Sequence, residues 1–246
     1  MGNVEGNEMI GMGTLVNVVA VIAGGAAGLV LKRGMKQRFQ DIITQAIGLA
    51  VIFIGVSGGL SQLLVLVDGK FETQKSMMLI ISMVLGALIG EAIDIDGHTE
   101  HFGAWLKHKA KSDGDSLFIE GFVITSLTTC VGAMAVVGAI NDGLTGDASM
   151  LYMKSILDFV ISIIFASTYG IGVLFSVIPI VIFQGSITLL ATLIAPYLTQ
   201  GVIDNMSAVG GVLIFVVGIN LVFKAKIKVA NLLPALIIAV AYAYIM

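Results

Sequence analysis

Eight stretches of this 246-residue chain run for about 20 residues with almost no charge, and no other feature limits the fold as tightly. They are Thr14–Leu31, Ile42–Val67, Ser76–Ile93, Leu117–Ile140, Met150–Tyr169, Ile171–Leu198, Val202–Phe223 and Val229–Ile245. A hydrocarbon core of about 30 Å is crossed by a helix of about that length. Lipid offers the backbone no hydrogen-bond partner, so helices are the predicted element. The stretches are too long and too continuously apolar for barrel strands. Composition leads the same way: 57% of residues are hydrophobic and 12% charged, with a mean hydropathy of +1.02. That is too little charge to clothe a water-soluble surface, so the lipid bilayer is the expected solvent and partner. The predicted fold is all-α, a polytopic transmembrane helix bundle of about eight spans in a single transmembrane domain over residues 1–246. The fifth and sixth spans meet at Tyr169-Gly170-Ile171, the least defined boundary, and the last span is short.

Basic residues orient the bundle, because Lys and Arg in short loops favour the cytoplasm. Lys32, Arg33, Lys36 and Arg38 follow the first span, Lys107, Lys109 and Lys111 the third, and Lys224, Lys226 and Lys228 the seventh. The opposite loops hold Lys70, Lys75 and Lys154. Both termini are therefore predicted outside the cytoplasm. Glu5 and Glu8 precede the first span with no basic region, so no cleavable signal is expected.

An internal echo suggests a repeat. Asp41, Gly48, Phe53 and Gly55 resemble Asp204, Gly210, Phe215 and Gly218, with one residue of slippage. Spans one to three would correspond to spans six to eight, a 3+2+3 inverted repeat. Its halves would be 11–96 and 172–246, with an insert at 117–170 and an interfacial loop at 97–116. Such repeats recur in secondary transporters and set the substrate site near the midplane.

The insert carries the polar residues. Asp158 lies near the centre of span five, and helical periodicity puts Ser155, Asp158, Ser162 and Tyr169 on one face. A carboxylate at bilayer depth costs about 3 kcal/mol on insertion scales, so it needs a partner or water. It is either an ion or proton site, or an interhelical clamp paired to Lys154 one turn away. Span four offers Thr125, Ser126, Thr128 and Thr129, hard oxygen ligands of the kind alkali cations prefer. The same hydroxyls also serve as interhelical glue, as do Asn17, Gln184 and Asn220. Glu91, Asp142 and Asp147 are candidate vestibule residues at the span ends, although Asp142-Gly143…Gly146-Asp147 is also ordinary turn chemistry. Gly24 and Gly28 form a small-xxx-small pair suited to close helix contact or to homo-oligomerisation.

Several classes are set aside. A net charge of −3 argues against nucleic acid, and the single Cys130 rules out an internal disulfide and a cysteine-based zinc site. His98-x-x-His101 lacks a third ligand, and the segment from Glu100 to Lys111 reads better as an interfacial helix anchored by Trp105. No metal and no cofactor is expected. No histidine falls within a span and no nucleophile–base pair is evident, so enzymatic chemistry is not predicted.

The run from Cys130-Val-Gly-Ala-Met through Asp142-Gly143-Leu-Thr-Gly146-Asp147 to Lys154-Ser155-Ile-Leu-Asp158 resembles the YqgA/YdfK-type bacterial membrane family. Ala166-Ser167-Thr168-Tyr169-Gly170, Phe183-Gln184-Gly185-Ser186, Gly13-Thr14-Leu15-Val16-Asn17, Gly86-Ala-Leu-Ile-Gly90-Glu91 and Asn231-Leu-Leu-Pro234 extend the likeness over nearly the whole chain. Thr129 stands where the family pattern has an aromatic residue. The resemblance implies a prokaryotic inner-membrane location and carries no substrate. The predicted function is a transporter or channel for a small solute, in the first place a monovalent cation or an ion-coupled substrate, with Asp158 at the site and Thr125, Ser126, Thr128, Thr129, Ser155, Ser162, Gln184 and Asn17 around it. The alternative is a non-transporting scaffold or sensor that binds a partner through its cytoplasmic loop.

Overall fold

The computed structural model describes residues 9–32, 36–112, 114, 116–130 and 133–245, so Glu5, Glu8, Arg33, Val131 and Gly132 lie outside it. Six described helices are long and apolar enough to cross a membrane, seven if a bent pair counts as one crossing. The expected eight is corrected. The shortfall is at the C-terminus, where a 3-10 turn at Ala230–Leu232 precedes α11 (Pro234–Ile245, 12 residues). Proline at its first position pre-sets the helical φ and has no amide to lose. Twelve residues rise only about 18 Å, short of the bilayer core.

Helices α1 (Met12–Lys32), α2 (Gln37–Leu63) and α3 (Ser76–Ile93) fill the first three expected spans. Span two does not reach Val67. Leu64–Val67 (β1) pairs antiparallel with Lys70–Thr73 (β2), in the register Leu64↔Thr73 and Val67↔Lys70. The turn is Asp68-Gly69 with φ of 48° and 75°, the geometry of a two-residue hairpin turn. Helix α4 (Ile95–Lys109) carries most of the expected interfacial segment. Its Leu106 packs with Phe118 and Phe122, while Trp105 stays exposed and stacks on Phe102 at 5.8 Å.

Span four is two helices, α5 (Phe118–Cys130) and α6 (Ala133–Thr145), bent by 61°. Next come α7 (Ser149–Tyr169), a 3-10 stretch at Ile171–Ser176, α8 (Val177–Leu189) and the single turn α9 (Ala191–Ile194). Gly170 divides α7 from the 3-10 stretch. Its φ of 89° and ψ of −150° suit only glycine, so the boundary left loose by the sequence is a true break. Helix α10 (Gln200–Phe223) completes the set, capped by the Thr199 hydroxyl, which accepts from the Val202 amide at 3.3 Å.

Helix directions can be read from which residues meet. Gly13 faces Leu151, Gly24 faces Phe159 and Gly28 faces Ile163, so α1 and α7 run parallel. Gly48 meets Val222 and Gly55 meets Phe215, so α2 and α10 are antiparallel. Gly86 against Ala235 and Gly90 against Asn231 make α3 and α11 antiparallel as well. Parallel α1 and α7 require an even number of reversals between them. The bent α5–α6 pair therefore counts as one crossing. Gly24 and Gly28 lie against α7 of the same chain, which answers their small-xxx-small spacing inside the bundle.

Candidate functional site

Lys154 and Asp158 lie one turn apart on α7, both buried, and form an ion pair inside the bundle. Lys154 is therefore not an outer-loop lysine as its place in the sequence suggests. The carboxylate at this depth has found a cation on its own helix. Asn17 on α1 lies within hydrogen-bonding reach of Asp158, and its Nδ2 donates to Gln184 Oε1 on α8 at 3.1 Å. Both amides are fully buried, and Asn17 Oδ1 and Gln184 Nε2 have no partner. The centre thus joins a charge pair to one open acceptor and one open donor. Cys130, the last residue of α5, is within electrostatic range of both Lys154 and Asp158, so the break in span four lies near the pair.

The hydroxyls divide into two groups. Ser126, Thr128, Thr129 and Ser155 donate to carbonyls of their own helices, those of Phe122, Ile124, Thr125 and Leu151, at 2.6–2.8 Å. Such bonding satisfies the hydroxyl proton locally. Thr125 and Ser162 are buried with hydroxyls that have no partner. They are the two hydroxyls of the set whose protons remain to be satisfied.

The candidate vestibule acids lie elsewhere and act as fasteners. Glu91 accepts from Lys228 Nζ at 2.7 Å and from Asn231 Nδ2 at 2.6 Å, tying α3 to the segment before α11. The Glu91 hydrogen bond holds the exposed Lys228 above its ordinary pKa. Asp142 is buried and accepts from the Gly11 amide at 3.1 Å, at the start of α1. Asp147 accepts from the Ser149 amide at 3.0 Å, and bonding to Ser149 lowers its pKa. At the same end of the bundle, Lys75 and Asp204 pair at 3.0 Å.

The sequence reading missed a polar chamber of about 920 Å³ at the basic end. Asp41 from α2, Asp96 and Glu100 from α4, Glu120 from α5, and Thr168 and Tyr169 from α7 line it, with Lys224, Lys226 and Lys228 alongside. Desolvation, and then Glu100, raises the pKa of Asp96. An acid in the first turn of a membrane span, Glu120, is the one local signal that was available. His98 and His101 bond through Nδ1 to the carbonyls of Asp94 and Gly97, four residues earlier in each case.

Residues 12–244 match a family described as "Protein of unknown function (DUF554)". The chain is 31% identical over 226 residues to "Uncharacterized membrane protein YdfK" of Bacillus subtilis (strain 168), covering 92% of this chain and 93% of that one. It is 32% identical over 232 residues to "Uncharacterized protein YqgA" of Escherichia coli (strain K12), covering 93% and 94%. No solved structure matches it significantly.

Proposed function

Because the chain belongs to the DUF554 family, a membership that brings a membrane setting and no assigned chemistry, we propose that it is a transporter for a small cation or an ion-coupled solute. The observation that carries this reading is the buried Lys154–Asp158 pair, close to the break between α5 and α6 and beside the open polar atoms of Asn17 and Gln184. A broken helix presents unpaired carbonyls at one end and unpaired amides at the other, and transporters use such ends to handle ions at the midplane. An ion competing for Asp158 would displace Lys154, which couples occupancy to a change of charge pairing. The reading places the protein in the prokaryotic inner membrane, with the basic loops in the cytoplasm and the N-terminus outside it.

An internal two-fold correspondence supports the same reading. Asp41, Gly48 and Gly55 in α2 share the spacing of Asp204, Gly211 and Gly218 in α10 without slippage once Gly211 replaces Gly210. The four glycines line one antiparallel seam, in which Gly48 meets Val222, Gly218 meets Ile52, Gly55 meets Phe215 and Gly211 meets Gly59. An inverted repeat of this kind supplies two halves able to exchange inward- and outward-facing arrangements.

The test is solid-supported-membrane electrophysiology on the purified protein in liposomes, with proton, sodium and potassium gradients and a panel of small metabolites. Current under one gradient, abolished in a folded Asp158→Asn variant, is the expected result. Unchanged current in that variant removes Asp158 from the mechanism, and silence of the intact protein under every gradient rejects transport.

A further inference from the structure

The chamber at the basic end has the chemistry of a second site, separate from the Asp158 centre. Glu120 is exposed and lines the chamber. Next to it, Gly121 packs so closely on Tyr169 that an added Cβ would lie 2.6 Å from the Tyr169 Cβ, which holds the start of α5 against the end of α7. That contact brings Glu120 to the part of the wall formed by Thr168 and Tyr169. Thr168 is 5% exposed, and its Oγ1 has no hydrogen-bond partner. A hydroxyl buried without a partner is costly, so an unpaired one in the wall of a polar chamber points to something that completes it.

We propose that this chamber binds a partly hydrated monovalent metal cation, with the Glu120 carboxylate and the Thr168 hydroxyl as its protein ligands. Carboxylate and hydroxyl oxygens are hard ligands suited to such an ion. Asp41, Asp96 and Glu100 add negative charge to the same space from α2 and α4. A divalent ion fits less well, because among the described residues no three His, Cys, Asp or Glu side chains come together to hold a metal. The lysines lie on the exposed 224–228 segment, and Glu91 draws Lys228 away at 2.7 Å. Lys224 remains within electrostatic range of Glu120, where it competes with the ion and keeps binding weak enough for release. As the inner station of an ion path the site rests on the transport reading, but the binding itself does not.

Thermal unfolding of the purified full chain in nanodiscs tests this, with sodium, potassium, choline or magnesium chloride titrated at constant ionic strength. Sodium or potassium should raise the unfolding midpoint saturably where choline does not, and Glu120→Gln should abolish that difference. Thr168→Val, which leaves the carboxylate in place, should shift half-saturation several-fold to higher concentration and keeps the test open should Glu120→Gln not fold. Asp158→Asn should retain the response while losing flux. An unaltered response in both Glu120→Gln and Thr168→Val, equal responses to choline and the metal ions, or stabilisation by magnesium chloride alone would overturn the proposal. Loss of the response in Glu120→Gln together with unchanged flux in Asp158→Asn would reject the transport centre and leave the chamber site standing.

Discussion

Lys154→Met is expected to destabilise the protein by about 3–5 kcal/mol, the usual consequence of removing one partner of a buried ion pair. Asp158 is 3% exposed, and Lys154 is the one cation paired with it among the described residues. Asn17 can donate a hydrogen bond to the carboxylate, but it cannot neutralise it. The variant must therefore protonate Asp158, admit water or loosen α7 from α1. Lys154→Met combined with Asp158→Asn removes both charges, keeps nearly the same volume and should recover most of the loss. Chemical or thermal unfolding of the two variants in the same detergent measures the difference. Equal stability of the single variant and the unaltered protein would mean that Asp158 carries no charge that Lys154 has to balance.

Gly90→Ala should be at least as damaging, for a reason of space rather than charge. A methyl at Gly90 would lie 1.9 Å from the Asn231 carbonyl oxygen, so backbone would have to move away from backbone. Overpacking a core costs about 1–3 kcal/mol when side chains can yield. Here they cannot, and Asn231 also donates to Glu91 and accepts from the Asp96 amide at 2.7 Å. Moving it would release the joint between α3, α4 and the segment before α11. The expected result is loss of the monodisperse peak in size-exclusion chromatography and a lowered unfolding midpoint. Gly185→Ala, with nothing within 4 Å of the added carbon, should behave as the unaltered protein does. Indistinguishable behaviour of the two variants would refute the close α3–α11 contact.

The long helices were legible because each carries its own signal. Ser76–Ile93 matches its hydropathy boundary at both ends, and α7 begins one residue ahead of the expected Met150. Hydropathy could not separate β1 from α2, since Leu64-Val-Leu-Val67 is as apolar as the helix before it. Only Asp68-Gly69 marked the hairpin. Lys154 was misplaced because counting loop lysines assumes that charge seeks water, whereas a carboxylate four residues along the helix supplies an alternative. Asp158 and its face were visible in the sequence, but Asn17 meeting Gln184, 167 positions away, belongs to the tertiary structure alone. The chamber around Glu120 was invisible for the same reason: its walls come from α2, α4, α5 and α7.

The α2–α10 seam has a mechanical consequence. Most helix pairs mesh side-chain ridges into grooves, and the meshing indexes them to discrete positions, like gears. At Gly55 and Gly211 there are no teeth and backbone meets backbone, whereas Val222 and Ile52 seat their side chains on Gly48 and Gly218. The seam is thus toothless in one half and keyed in the other, so the index that fixes the two helices against each other sits at the Gly48 end alone.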